Sequence, residues 1–500
     1  MLFDKRNHKS GICQLNGQAE VFFRRKSLSN TTIHYANKSV ENKRKYNKTN
    51  KPSSSFAYDI VKDRRFTRDQ YEFHVPITLN YKESKNASLN EMARRFIREG
   101  GVRHIIGIDR GERHLLYLTM IDMNGKIVKQ FSLNEIASNP KNPDFKQDFN
   151  ALLAKKEGDR MEARRNWTTI ENIKELKEGY LSLIVHTLAT MMIENDAILV
   201  LENLNSGFIR GRQKVEKSVY QKFEKMLIDK LNYIVDKTAD VDEPGGALNA
   251  IQLTDPYADF NKYQKGNVRQ CGFLFYIPAW NTSKTDPSTG FVNLFDTHFD
   301  SISEIKWFFS KFDRIKYNAA DDTFEFSFDY SNFTGRGEGT RTRWTINTYG
   351  DRIFTHRSDS QLHEFVSETV NPTSLFKEVF GKIGVELTGN LKEAIASIDN
   401  LDTCRNLLHA FKLTMQMRNS ATGTDIDYLI SPAVGADGKN FDSRLADDNM
   451  PKNADANGAF NIARKGLMLV NQIVQTVERE KIEFDVTNKA WLSFAQSHNG

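Results

Sequence analysis

The sequence predicts an α/β fold whose central sheet carries acidic residues at the ends of its strands. An isoleucine-rich run beginning at Ile105 leads directly into Asp109, and a second apolar run, Ala197 to Leu201, leads into Glu202. A long helical pattern of small and apolar residues begins at Asp455. Because β-branched residues favour strands and continuous apolar runs are typical of buried strands, the two runs predict buried core strands.

The composition restricts the class of protein. With 500 residues, of which 39% are hydrophobic and 27% charged, the chain can form a packed core in two or three domains. No apolar run reaches the roughly 18 residues of a membrane span, and residues 1–10 carry charged side chains instead of the apolar core of a signal peptide. We therefore expect a cytosolic protein without a membrane partner. Cys13, Cys271 and Cys404 lie far apart, which excludes a disulfide framework or a zinc knuckle as an interpretation.

The first hundred residues combine short apolar strands, such as Ala19 to Phe23 and Tyr71 to Leu79, with a basic polar stretch. They hold 21 Lys and Arg against 10 Asp and Glu, a local charge of +11, whereas the whole chain carries only +6. Clustered basic residues gain affinity for nucleic acids by displacing counterions from phosphates. The charge alone is equally typical of a solvated basic surface on a small β-rich domain.

The core elements follow in a defined order after Asp109. The runs His114 to Asp122 and Lys126 to Leu133 are joined by Asn124-Gly125, which predicts a β-hairpin. Helical patterns between Lys155 and Ile193 precede the second buried strand. Strand, hairpin, helix and buried strand in this order are typical of an RNase H-like α/β core. Residues 272–442 depart from this order of elements, since they contain turns and aromatic strands, and this pattern predicts an inserted α+β domain. The helix that begins at Asp455 then completes the core.

The acidic residues predict a metal site. A lone Asp after a strand is usually a turn or helix-cap residue, but Glu202 at the end of a buried strand needs a cation or strong donors. If the two strands are neighbours, the carboxylates of Asp109 and Glu202 meet at one edge of the sheet. Asp455 could complete the site, although its alternative role is a helix N-cap. Hard oxygen ligands without clustered His or Cys favour Mg²⁺ or Mn²⁺, two of which would activate water and stabilise the leaving oxygen of a phosphodiester.

The amino-acid sequences of three segments resemble the RuvC motifs of type V-A CRISPR RNA-guided DNA endonucleases. They are Ile105-Ile-Gly-Ile-Asp109-Arg-Gly-Glu-Arg113, Val200-Leu-Glu202-Asn-Leu-Asn205 and Asp455-Ala-Asn-Gly-Ala-Phe-Asn-Ile-Ala463. The resemblance covers nearly the whole chain and implies that Asp109, Glu202 and Asp455 are the catalytic, metal-binding acids. It also implies a guide RNA and the target and non-target DNA strands as partners. The implied domains are a partial guide-handle-binding wedge domain (1–100), RuvC motifs I and II with a bridge helix (101–271), a Nuc-like insertion (272–442) and RuvC motif III with C-terminal helices (443–500).

The same resemblance assigns further residues. Arg418 would stabilise charge near the scissile phosphate, Asp427 matches a further polar position of the Nuc domain, and Trp167 would anchor the bridge helix. By residue type alone, an exposed arginine such as Arg418 is more often only a solvated group, and Trp167 is equally typical of a core tryptophan. In the basic segment, the residues matching a metal-independent site for processing precursor guide RNA are His34, Lys43, Lys62 and Phe66.

Members of this family are typically more than twice as long, so the resemblance implies a truncated effector without its recognition lobe. We expect no detectable guided cutting by the chain as it stands. Two alternatives are a non-enzymatic remnant that binds the RNA handle or partner fragments, and a transposon-associated guided nuclease. The three acids favour an enzyme over the remnant. The Lys62 to Phe66 block and the long insertion argue against the transposon-associated protein.

Overall fold

A computed structural model of the chain was analysed. The structure describes the following residues: 2–41, 53–55, 57, 59–62, 66–80, 88–110, 116–137, 146–148, 173–203, 217–236, 238–256, 269–333, 341–357, 365–421, 426–476, 482 and 484–497. Over this part of the chain, no helix is both long enough and apolar enough to cross a lipid bilayer. The three cysteines are buried and free.

The chain divides into two compact units, and the first comprises Met1–Lys85 and Val235–Ala250. Its elements in chain order are α1 (Lys5–Ser10), β1 (Cys13–Leu15), β2 (Glu20–Arg24), β3 (Thr32–His34), β4 (Val40–Glu41), β5 (Ser53–Ser54), β6 (Ile60–Lys62), β7 (Gln70–His74) and β8 (Ile77–Leu79). The strands form nested antiparallel pairs, β1 with β8, β2 with β7, β3 with β6 and β4 with β5. This arrangement agrees with the β-rich character that the sequence predicts for this region.

The second unit comprises Asn86–Ile234 and Ile251–Gly500. Its elements are α2 (Leu89–Arg98), β9 (His104–Asp109), β10 (Tyr117–Asp122), β11 (Ile127–Ser132), β12 (Glu135–Ala137), β13 (Lys146–Asp148), α3 (Ile173–Glu194), β14 (Ala197–Asn203), α4 (Lys217–Asn232), β15 (Gln270–Cys271), β16 (Leu274–Pro278), α5 (Ile302–Ser310), β17 (Arg314–Asn318), β18 (Thr323–Asp329), β19 (Arg343–Asn347), β20 (Arg352–Arg357), β21 (Phe365–Val370), α6 (Pro372–Lys382), α7 (Lys392–Ala396), α8 (Leu401–Thr414), β22 (Arg418–Ser420), β23 (Asp427–Val434), β24 (Asn440–Asp442), α9 (Ala454–Gln475) and α10 (Asn488–Ser497).

A six-stranded sheet in the order β11-β10-β9-β14-β16-β15 forms the core of this unit. Strands β9, β14 and β16 run parallel to one another, and β9-β10-β11 is an antiparallel meander whose β10–β11 turn contains Gly125. Helices α3 and α4 pack on one face, and α9 packs on the other. The predicted strand, hairpin, helix and strand therefore occur in the predicted order, and the α/β class is confirmed. The strand β16 falls inside the predicted insertion 272–442, so the core sheet extends into that range.

Side-chain alternation decides which residues of the core strands face α9. In β9, Ile106 and Ile108 pack on the α3 and α4 side, whereas Ile105 packs on the α9 side. Because side chains alternate along a strand, Asp109 shares the α9 face with Ile105. The same alternation in β14 places Glu202 on the face that Val200 shares with α9.

The region between β16 and α9 contains a second, antiparallel sheet in the order β17-β18-β19-β23-β22, with β24 paired to β23. In β18, Phe324, Phe326 and Phe328 are buried, while the alternate residues Glu325 and Ser327 are partly exposed. These phenylalanines join a cluster with residues of α5, α6 and α8. Leu429 and Ala433 of β23 belong to this cluster, and β23 pairs with β22, which begins at Arg418.

Candidate active site

Asp109 and Glu202 lie side by side at the carboxyl ends of two parallel strands. Ile108 of β9 pairs with Leu201 of β14, so the next residue of each strand reaches the same edge of the sheet. Both side chains are almost fully buried, with 6% of Asp109 and 7% of Glu202 exposed. Two carboxylates in such a place are costly without a compensating cation or donors.

The first turn of α9 brings Asp455 to the same edge. The side chain of Asn453 caps this helix by accepting from the backbone N–H of Ala456 at 2.7 Å. The alternative role of Asp455 as the N-cap is therefore taken by Asn453. The helix approaches closely because Gly458 faces Asp109: a Cβ at position 458 would lie only 2.2 Å from Asp109 Oδ2. Asp455 is completely buried.

The three carboxylates influence one another electrostatically. Burial raises the pKa of Asp109 well above its usual 3.8, and the negative charges of Glu202 and Asp455 raise it further, while Arg418 opposes this shift. A neighbouring negative charge raises a carboxyl pKa in this way when it lies at short range in a weakly screened environment. Asp109 therefore lies close to the other two acids in a buried site.

Arg418 supplies positive charge to this cluster. Its Nη2 donates to Asp455 Oδ1 at 2.6 Å, and 27% of its side chain is exposed. Burial by itself lowers the pKa of Arg418, but the carboxylates of Asp455, Asp427 and Asp109 raise it above its usual value. Asp427 is positioned because it pairs with Ser420 across β22 and β23. The structure thus brings Arg418 and Asp427 to the acidic residues.

Glu202 is held by a separate set of groups. The hydroxyl of Thr282 donates to Glu202 Oε1, and the guanidinium of Arg110 donates to the backbone oxygen of Glu202. Burial raises the pKa of Glu202, whereas the Thr282 hydrogen bond and the charges of Arg110 and Lys465 lower it. Burial also lowers the pKa of Lys465 to about 7, an effect that Glu202 opposes.

The donor set fits a hard divalent cation, because it consists of three carboxylates that share a buried edge. Over the described residues, no group of three or more His, Cys, Asp or Glu side chains is already arranged to hold a metal ion. In this arrangement Asp455 Oδ1 accepts a hydrogen bond from Arg418. The residues that would hold the cation are Asp109, Glu202 and Asp455.

The comparison with protein families shows the family to which the chain belongs. The model of the RuvC nuclease domain matches residues 83–500. The chain belongs to the RuvC nuclease family. It is therefore a RuvC-containing nuclease with an RNase H-like α/β core, and the match includes all the elements that carry the acidic edge. RuvC nuclease domains generally use divalent metal ions, in agreement with the carboxylate ligands available here.

Of the remaining predicted residues of this RuvC nuclease, three belong to the first unit and two are outside the described residues. His34, Lys62 and Phe66 belong to the first unit, where β3 pairs with β6 so that Thr32 is opposite Lys62. The backbone oxygen of Phe66 accepts from the backbone N–H of Ser27 at 2.9 Å. The predicted residues Lys43 and Trp167 lie outside the described residues.

Sequence reasoning missed the groups that support the acidic residues in the RuvC site. They are Arg110, Thr282, Gly458 and Lys465. Lys465 could have been found, because a lysine within the apolar and small-residue pattern of α9 interrupts a buried helix face. Thr282 lies in a loop without a recognisable pattern, 80 residues from Glu202, so its contact depends on the tertiary structure.

Proposed function

We propose that this RuvC nuclease is the nuclease part of a type V-A CRISPR RNA-guided DNA endonuclease, which hydrolyses phosphodiester bonds of the target and non-target strands in a prokaryotic cytoplasm. The observation that carries the proposal is the meeting of Asp109, Glu202 and Asp455 at one sheet edge beside Arg418. Each of these residues stands in a segment that resembles the corresponding motif of that class.

The chain's own residues have distinct roles in the proposed reaction. Asp109, Glu202 and Asp455 would hold Mg²⁺, or Mn²⁺, which when bound activates water and stabilises the leaving oxygen. Arg418 is partly exposed beside the carboxylates, so its guanidinium can also contact a phosphate and stabilise charge that develops during cleavage. Asp427 raises the pKa of Arg418 and adds a second negative charge beside the guanidinium.

A second activity of this effector, the metal-independent processing of precursor guide RNA, would belong to the first unit. It rests on the motif match of His34, Lys43, Lys62 and Phe66 and on the excess of basic residues among residues 1–100. The pairing of β3 with β6 supports it, since His34 and Lys62 lie on adjacent strands two register positions apart. A histidine can transfer protons to and from the 2′-hydroxyl or the leaving oxygen, and an aromatic ring can stack on a base.

The proposal is tested with the isosteric variants Asp109→Asn, Glu202→Gln and Asp455→Asn. Each removes one charged ligand, so we expect Mg²⁺-dependent cleavage of labelled DNA to fall below detection while binding of the guide RNA handle stays unchanged. Asp448→Asn is the matched control, because the same chemical change occurs on a fully exposed carboxylate. Cleavage at the wild-type rate by any of the three variants would refute the assignment of the site. Guide-dependent cutting of matched but not mismatched duplex, measured with the chain joined to a complete recognition lobe, tests the RNA-guided part.

A further inference from the structure

A loop at the end of β16 contacts the acidic edge through a buried threonine. The loop comprises residues 278–285, beginning at the last residue of β16, the strand that pairs with the strand of Glu202. Thr282 in this loop is 4% exposed, and its hydroxyl donates to Glu202 Oε1. This hydrogen bond engages one of the two carboxylate oxygens of Glu202.

One face of α9 holds this loop through three side chains spaced four residues apart, Asn457, Asn461 and Lys465. This spacing places all three on the same side of the helix. All three are buried, and each donates to backbone carbonyl oxygens of the loop. The contacts are Asn457 Nδ2 to Thr285 at 3.1 Å and to Ser283 at 3.4 Å, Asn461 Nδ2 to Thr282 at 2.9 Å and to Thr285 at 3.1 Å, and Lys465 Nζ to Pro278 and Trp280 at 2.8 Å each.

The chemistry of this row is unusual for a core helix. A buried amide or ammonium group is stabilised only when it is hydrogen-bonded, and the protein could have packed apolar side chains at these positions instead. Each of these side-chain donors is paired with particular backbone carbonyl oxygens of the loop. The row therefore fixes the backbone path of the loop, which apolar packing alone would not do. Asn457 follows Asp455 by two residues on the same helix. The helix that supplies Asp455 therefore also holds the loop that contacts Glu202.

We propose that Asn457, Asn461 and Lys465, acting through Thr282, position the carboxylate of Glu202 for binding a divalent cation together with Asp455. These residues are positioning residues, since none of them is a ligand. The inference rests on the proposed function, because it assumes that Glu202 is a metal ligand. Hydrogen bonds to a liganding carboxylate typically contribute about 10–100-fold to metal affinity.

The test uses the full chain and the near-isosteric variant Thr282→Val, which removes the hydroxyl donor. Binding of Mn²⁺ is measured by calorimetry without nucleic acid, and the Mg²⁺ midpoint of DNA cleavage is measured in parallel. We expect the Kd for Mn²⁺ and the Mg²⁺ midpoint to rise about 10-fold in Thr282→Val, and Thr282→Ser to restore both to within about 3-fold of wild type. Lys465→Met, which keeps the length of the side chain, should raise the Kd in the same direction.

The matched control is Gln472→Leu. Gln472 also lies on α9 and donates to a backbone oxygen, that of Asp485 at 2.7 Å, but it is 17 residues from Asp455, or about 25 Å along the helix. The Gln472→Leu variant should have a lower melting temperature than wild type and an unchanged Kd for Mn²⁺. Thr282→Val with wild-type Mn²⁺ affinity, or with no more loss than Gln472→Leu, overturns the inference.

Asp109→Asn separates this inference from the proposed function. If Asp109→Asn loses Mn²⁺ binding and Thr282→Val does not, only the positioning role fails. If Asp109→Asn binds Mn²⁺ like wild type, or if the wild-type chain does not bind Mn²⁺, the metal site itself fails and the inference falls with it.

Discussion

Gly458→Ala would test the geometry of the acidic edge without changing any charge. A methyl group at position 458 would lie 2.2 Å from Asp109 Oδ2 and 2.7 Å from its Cγ, whereas ordinary van der Waals contact begins at 3.4 Å. The carboxylate of Asp109 must therefore move by about 1.2 Å, which is 3.4 − 2.2 Å, or α9 must move by the same distance. A displacement of about 1 Å in a catalytic group can reduce a rate roughly 100-fold.

The effect on folding should be much smaller than the effect on the rate. Alanine is favoured over glycine inside a helix by about 1 kcal/mol, whereas overpacking a core costs about 1–3 kcal/mol. The free energy of unfolding of Gly458→Ala should thus lie within about 2 kcal/mol of wild type. We expect roughly 100-fold slower Mg²⁺-dependent cleavage of single-stranded DNA, with weaker Mn²⁺ binding by calorimetry.

Two glycine variants provide matched controls for this experiment. Gly179→Ala changes a helical glycine with open space around it, so it should leave cleavage unchanged. Gly466→Ala places a methyl group 2.5 Å from Val200 Cγ2, so it strains the packing of the same helix on the sheet at a distance from the carboxylates. Wild-type cleavage and Mn²⁺ affinity in Gly458→Ala, or an equal loss in Gly466→Ala, would refute the reasoning.

Three further predictions follow from the charges of the two units. Because folding raises the pKa of Asp109, the folded state binds the proton of this carboxyl more tightly than the unfolded state does. Protonated Asp109 therefore stabilises the metal-free chain most below about pH 4, and this stabilisation is lost as pH rises through the raised pKa. Urea unfolding between pH 5 and 8 should show a smaller decrease in Asp109→Asn than in wild type, and an unchanged slope would contradict the shift. Arg418→Ala should slow DNA cleavage about 100-fold, since it removes a donor to the developing charge, while the Kd for Mn²⁺ stays equal or decreases because Asp455 is released; a weaker Mn²⁺ affinity would count against this role. His34→Ala and Lys62→Ala should each impair processing of precursor guide RNA in EDTA, as measured on denaturing gels, and normal processing by both variants would exclude the second site.

The local pattern of the sequence was sufficient to predict the elements of the core. The apolar runs before Asp109 and before Glu202 predicted buried strands, which the structure contains as β9 and β14. Asn124-Gly125 predicted the hairpin turn between β10 and β11. Once two strand ends carry carboxylates, parallel pairing is enough to bring them together, and the structure pairs β9 with β14 in parallel. These features depend on residues that are close in sequence, which is why periodicity predicts them.

The contacts between distant segments required the tertiary structure. Alternation alone allows either face of the sheet to be covered by α9, and only the packing of Gly458 against Asp109 places Asp455 beside the other two acids. The hydrogen bond from Thr282 to Glu202 joins residues 80 positions apart. The ion pair between Arg418 and Asp455 joins strand β22 of the second sheet to helix α9. No local pattern encodes such pairs, because the burial that makes them necessary arises only when the sheet, α9 and the loop of residues 278–285 pack together.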